Sequence, residues 1–164
     1  MLVDEYLRTS FRPDCDYVDG EIQDRLWGER THAHAVGQAL VRLLTRYPCL
    51  RNRVLPSLRV RVNATRVRVP DICVLAEDAP HEQVPQTAPI LCIEILSEED
   101  RFTRIMDKAN DFFQMGVPIY WIIDPALRVA WIATPGQLTE PADGILRAGE
   151  IEMPLAEVLE SPAA

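Results

Sequence analysis

The run Ile90-Leu91-Cys92-Ile93-Glu94-Ile95-Leu96 is apolar at every position but one. A strand that alternates in polarity leaves one face in water, whereas a strand apolar on both faces must be covered on both. This run therefore predicts a central strand with layers packed over both sides. The fold class is then mixed α/β (α+β), with a central sheet flanked by helices. The one exception in the run is Glu94. Cys92 and Leu96 share its face, so it does not point at solvent. A buried ionised carboxylate costs on the order of several kcal/mol unless it is paired or binds a metal.

Periodicity places the remaining elements. Asp4 to Ser10 predicts a short helix, and Tyr17-Val18-Asp19-Gly20-Glu21-Ile22 a strand–turn–strand, because Asp-Gly is a strong hairpin signal. A helix is expected from Thr31 to Tyr47, with Val36, Leu40, Leu43, Leu44 and Tyr47 as its apolar stripe and Pro48 as its end. Val54 to Val62 and Arg66 to Leu75 both alternate, and Asn63-Ala64-Thr65 joins them as a tight turn. Val67, Val69, Asp71, Cys73 and Leu75 are expected on one face. Glu77 to Pro89 reads as a loop. After the central strand, Ser97-Glu98-Glu99-Asp100 fits a helix N-cap, and the helix runs to Met115 before Gly116-Val117-Pro118. Ile119 to Ile123 and Arg128 to Ala133 are further strands. The expectation is one domain over residues 1–164, with a core at about 17–133. Residues 134–164 add a hairpin, a short helix near Leu155 to Leu159 and a loose tail.

Charge narrows the function. A net charge of -8 and a pI near 4.9 argue against tight, nonspecific nucleic-acid binding. The average hides an asymmetry. Thr31 to Pro70 contains no Asp or Glu but holds Arg42, Arg46, Arg51, Arg53, Arg59, Arg61, Arg66 and Arg68. That stretch is either a solvated face or a phosphate-facing surface, for which arginine's fork is suited. Cys15, Cys49, Cys73 and Cys92 are widely spaced, which disfavours a zinc site or disulfide framework. No apolar stretch approaches the roughly 20 residues of a membrane span. The opening Met1-Leu2-Val3-Asp4-Glu5 lacks the features of a signal peptide. The expectation is a cytoplasmic protein away from the membrane.

Two more residues stand out beside Glu94. Asp71 takes an apolar position in its strand. Pro70 before it removes a ladder donor, which predicts a bend or bulge there. Lys108 is the single lysine of the chain; the other sixteen basic residues are arginines. It lies three residues after Ile105 and four before Phe112, on or beside the buried stripe of its helix. A compact ammonium can position water or neutralise charge in ways arginine cannot. Asp71 and Glu94 could hold Mg²⁺, which typically takes one or two carboxylates and keeps several waters. With Lys108, such an ion would activate water for attack on a phosphodiester.

Pro70-Asp71 followed by Ile93-Glu94-Ile95-Leu96 resembles the PD-(D/E)XK nuclease signature of the restriction-endonuclease-like fold. The usual lysine position, two after the glutamate, is Leu96; the lysine comes fourteen residues after Glu94, as Lys108. That migrated arrangement is similar to the Uma-two family of bacterial endonucleases. The resemblance runs over roughly Tyr17 to Ala133 and includes Val18-Asp19-Gly20-Glu21, His32, Arg68-Val69-Pro70-Asp71-Ile72 and Tyr120-Trp121-Ile122-Ile123-Asp124-Pro125. It implies a restriction-endonuclease-like central mixed sheet and a divalent-metal-dependent endonuclease acting on DNA, with Mg²⁺ or Mn²⁺ at Asp71 and Glu94. It implies Asp71, Glu94 and Lys108 as catalytic residues and Glu21 as a third acid. Read by itself, Glu21 is a solvated residue after a turn. His32 shares a stripe with Val36 and Leu40 and is equally a core histidine or a site residue. Nucleic-acid contacts are expected at Arg42, Arg46 and His32, and a homodimer is compatible with the sequence. The alternative reading is a catalytically silent nucleic-acid-binding or interaction domain that keeps the nuclease fold.

Overall fold

The structure, a computed structural model, describes residues 1–25 and 29–159. Strand β7 (Leu91–Ile95) is buried at every residue, as its composition requires. It pairs antiparallel with β6 (Ile72–Val74), which pairs with β3 (Val54–Pro56). On its other side it runs parallel to β8 (Tyr120–Asp124), followed by antiparallel β9 (Val129–Thr134) and β10 (Gln137–Thr139). The result is a six-stranded mixed sheet in the order β10-β9-β8-β7-β6-β3. A parallel pair cannot be closed by a tight turn, and helix α3 (Phe102–Met115) supplies the crossover from β7 to β8.

Alternation along β7 sends its side chains to two different cores. Leu91, Ile93 and Ile95 pack with Trp121 and Ile123 against α2 (Arg30–Arg46). Cys92 and Leu96 pack with Tyr120 and Ile122 against Ile105, Ala109 and Phe112 of α3. Glu94 has the parity of Cys92 and therefore faces α3. The seam of α2 is centred on Ala35, Ala39 and Leu43, while the expected Val36, Leu40, Leu44 and Tyr47 flank it half-buried. Small alanines let the helix sit close to the sheet. The hairpin β11 (Ile145–Ala148) and β12 (Ile151–Pro154), with α4 (Leu155–Val158), closes this same core through Leu146, Met153 and Val158. The expected tail beyond Leu159 lies outside the described residues.

A four-stranded sheet, β2-β1-β5-β4, sits beside the main one and is built from β1 (Asp16–Val18), β2 (Glu21–Gln23), β4 (Val60–Arg61) and β5 (Arg66–Arg68). The Asp-Gly hairpin forms as expected, with φ +50° at Asp19 and +100° at Gly20, both in the left-handed region that a two-residue turn of this kind needs. Helix α1 (Val3–Arg8) covers this sheet with Tyr6, which packs on Tyr17 and Val67.

The two long alternating strands are not continuous. Each breaks in the middle, giving β3 and β4 from one and β5 and β6 from the other. Their register is nevertheless the same on both sides: Pro56 pairs with Ile72, and Val60 with Arg68, along one antiparallel diagonal. A single hairpin is thus bent so that its tip belongs to the small sheet and its base to the large one. Pro70 has no N–H to give, and Ser57, at φ +48°, turns its N–H to Asp71 O. The expected single face from Val67 to Leu75 is accordingly split: Val67 joins the small core and Cys73 the α3 core. The expected N-cap also differs. Ser97 N and Oγ bond Asp100 Oδ2 in a turn, and α3 begins at Phe102 after Arg101, with no side-chain cap. Gly116 ends the helix in the left-handed region, φ +112°. Among the described residues no helix is long and apolar enough to cross a membrane.

Ile93 is fully buried at the centre of the α2 core. Ile93→Ala should lower unfolding stability by about 2–5 kcal/mol, read by urea denaturation; a cost under about 1 kcal/mol would show that the sheet is not covered there.

Candidate active site

The bend in the hairpin brings the first two acids together. The β6–β7 ladder ends at Ile72 opposite Ile93, and the next position along that diagonal sets Asp71 beside Glu94. Asp71 turns inward and caps the open end of β7, accepting the Ile95 N–H on Oδ2 at 2.8 Å. His32 Nε2 lies 3.2 Å from the same oxygen, and Arg25 Nη2 donates to Oδ1 at 2.8 Å. Burial alone would raise the Asp71 pKa. The His32 hydrogen bond and charge, with Arg25 and Lys108, outweigh it and hold the carboxyl below its ordinary range. The same hydrogen bond raises His32 above 6.5.

Glu94 meets Lys108 across the face of the sheet. Lys108 Nζ donates to Glu94 Oε1 at 3.0 Å and to Val69 O at 2.7 Å, and Tyr120 donates its hydroxyl to Glu94 Oε2 at 3.1 Å. Although Lys108 helps the charged form, burial dominates and pushes the Glu94 pKa up to about 7, with Asp71 adding to the rise. Burial also raises the Tyr120 phenol well above its usual value. A cavity of about 20 Å³, the size of one water, opens beside Glu94 and Lys108 and is walled by Asp16, Arg25 and Arg104.

Around this pair lies a set of buried charges that sequence reasoning missed. Asp16 accepts the Val69 N–H at 2.8 Å, pairs with Arg68 at 3.2 Å and stands 3.7 Å from Lys108 Nζ. Arg68 Nε reaches Asp111 of α3 at 2.6 Å, and Arg66 bridges Asp111 and Asp19. The available signal was an aspartate at the first position of β1 and two arginines on alternate residues of β5. Glu21, expected as a third acid, is exposed at the start of β2. The acid this hairpin gives to the buried cluster is Asp16, because Asp16 and Glu21 differ in burial by their place in the β1–β2 ladder.

The arginine-only stretch finds its acids in other segments. Arg59 forks onto Asp14 at 2.6 Å, and Arg66 and Arg68 take Asp19, Asp16 and Asp111. Much of it is therefore internal ion pairing rather than a bare phosphate-facing surface. Arg46 pairs with Glu157 at 3.0 Å and bonds Glu152 O. It is fourteen residues past His32 on α2, about 21 Å along the helix axis. His32 is the member of the expected nucleic-acid group that reaches the carboxylates. Cys73 and Cys92 are buried strand fillers, as their positions imply.

The donors of Asp71 and Glu94 are all hard oxygens, which suit Mg²⁺ or Mn²⁺, and both carboxylates are buried. Among the described residues no three His, Cys, Asp or Glu side chains converge as a ligand set. An ion here would take the two carboxylates and keep its waters, the usual habit of Mg²⁺.

The fold matches a crystal structure described as a putative nuclease belonging to DUF820 from Anabaena variabilis, with a TM-score of 0.81 over 97% of both chains at 20% identity. The Uma2 family model, described as "Putative restriction endonuclease", matches residues 3–156, and the chain belongs to that family. No curated protein sequence matches the chain.

Two expectations follow from the electrostatics. Glu94 and His32 both have folded pKa values above their unfolded ones, so stability falls as pH rises, from about 4.5 to about 7 on account of Glu94 and upward from about 6.5 on account of His32. Asp71 acts with the opposite sign, but only below about pH 4. The metal-free melting temperature should fall from pH 5 to pH 8, and Glu94→Gln should flatten part of that fall; an identical slope in the variant refutes this account of Glu94. Asp111→Ala strands Arg68 and should cost about 3–5 kcal/mol, whereas a loss below about 1 kcal/mol in urea unfolding would mean that Asp16 alone satisfies the arginine.

Proposed function

We propose that the chain is a divalent-metal-dependent endonuclease that hydrolyses phosphodiester bonds in DNA, with Asp71, Glu94 and Lys108 as its working groups. One observation carries this reading: a fully buried central strand carries, one residue before its end, a carboxylate in contact with the chain's single lysine and next in register to a second carboxylate.

Asp71 and Glu94 are the residues that would hold Mg²⁺ or Mn²⁺. Such an ion, when bound, lowers the pKa of a coordinated water and offsets charge on a phosphoryl oxygen. The chain's own groups do the positioning. Ile95 N and His32 fix one oxygen of Asp71 and favour its ionised form. Tyr120 and Lys108 each hold one oxygen of Glu94. Val69 O anchors the Lys108 ammonium beside the water-sized cavity, where its charge would oppose the negative charge that grows on a phosphoryl group during attack. Arg46 takes no part in this proposal, because it is engaged with Glu157 and lies far down α2.

The silent binding-domain reading has one observation in its favour. Both oxygens of each carboxylate already have protein partners. Cleavage decides between the two. Plasmid and oligonucleotide DNA should be cut in Mg²⁺ or Mn²⁺ but not in Ca²⁺ or EDTA. Lys108→Ala should lower turnover by about 10²-fold or more while Mn²⁺ still raises the melting temperature. Asp71→Ala and Glu94→Ala should lose both effects. Cleavage by Lys108→Ala at the wild-type rate would falsify the mechanism, and a wild type inert on every DNA form would favour the silent domain.

A further inference from the structure

Asp71 has one oxygen left for a metal ion, and Arg25 holds it. Oδ2 already accepts the Ile95 N–H at 2.8 Å and lies 3.2 Å from His32 Nε2. Oδ1 faces Arg25 Nη2 at 2.8 Å. Arg25 also lines both openings of the site. One is the water-sized cavity beside Glu94 and Lys108; the other is a cleft of about 520 Å³ beside Asp71 and His32. Its guanidinium is largely buried, with the side chain 14% exposed.

We propose that Arg25 is a displaceable counter-ion: in the free protein it occupies the place at Asp71 Oδ1 that the divalent ion takes when bound, and it then passes to the phosphodiester of the substrate. This rests on the metal-dependent reading above. A cation at Oδ1 meets the guanidinium head-on, so ion and arginine exclude each other there. A buried guanidinium stripped of its carboxylate is costly. A phosphate, which matches its planar fork, is the anion that relieves that cost. Ion and phosphate therefore bind cooperatively through the exchange of one arginine, and the free protein binds the ion weakly. Such a device keeps a hydrolytic centre incomplete until a phosphodiester is in place.

Calorimetric titration of Mn²⁺ into the wild type, Arg25→Met and Arg25→Gln reads the exchange without any turnover, with a thermal melt confirming that each variant is folded. Mn²⁺ should bind both variants at least about fivefold more tightly than the wild type. Inorganic phosphate should tighten Mn²⁺ binding to the wild type but not to the variants. Equal or weaker Mn²⁺ binding by the variants overturns the counter-ion role and leaves the metal-dependent reading standing. No Mn²⁺ binding by wild type or variants overturns both.

Discussion

The Lys108 ammonium is fastened at once to Glu94 Oε1, at 3.0 Å on the central strand, and to Val69 O, at 2.7 Å on the bent hairpin. Those contacts tie α3, the six-stranded sheet and the small sheet together at one point. Lysine offers only three donors. Two are used in these bonds, and the third direction faces Asp16, 3.7 Å away. The position of each acid around the ammonium follows from this constraint. Glu94 must stay on the α3 face, Val69 must turn its carbonyl inward at the bend, and the first hairpin must press Asp16 against both.

Burying so much charge is feasible because it is arranged as a connected set rather than as isolated ions. Asp16, Arg68 and Asp111 are all buried, and each contacts at least two charged or polar partners. Removing any one member leaves a neighbour uncompensated in low dielectric, which costs more than the intact pair contributes. The set also locates the weak point. Glu94 has one cation and one phenol as its hydrogen-bond partners, and burial pushes its pKa up to about 7.

Much of the fold could be read along the chain. The central strand, the Asp-Gly hairpin, the helices ending near Pro48 and at Gly116, and the β8–β9 pair depend on local periodicity and on residues with restricted backbones. These signals act within a few residues. The division of one hairpin between two sheets was only half visible. Pro70 announced a bend, but nothing local to Ser57 said that the opposite strand would break at the same level. The seam of α2 on its alanines and the late start of α3 were likewise set by packing, since both are decided by how near the sheet the helix can lie.

The candidate site divides in the same way. Sequence alone marked Glu94, Asp71 and Lys108, because a carboxylate inside an apolar run, another after a strand proline and a solitary lysine on a buried stripe are each anomalous where they stand. It could not name Asp16, Arg25, Arg68, Asp111 or Tyr120 as their partners; Glu21, a solvated residue when read by itself and a third acid only by resemblance, is exposed at the start of β2. Partner choice is a property of register. A hairpin that pairs Ile72 with Ile93 sets Asp71 beside Glu94, and a ladder shifted by one residue would turn every one of these side chains to the opposite face. The sequence determined which residues are costly to bury; only the tertiary structure decided which of them compensate one another, because that depends on contacts between segments far apart in the chain.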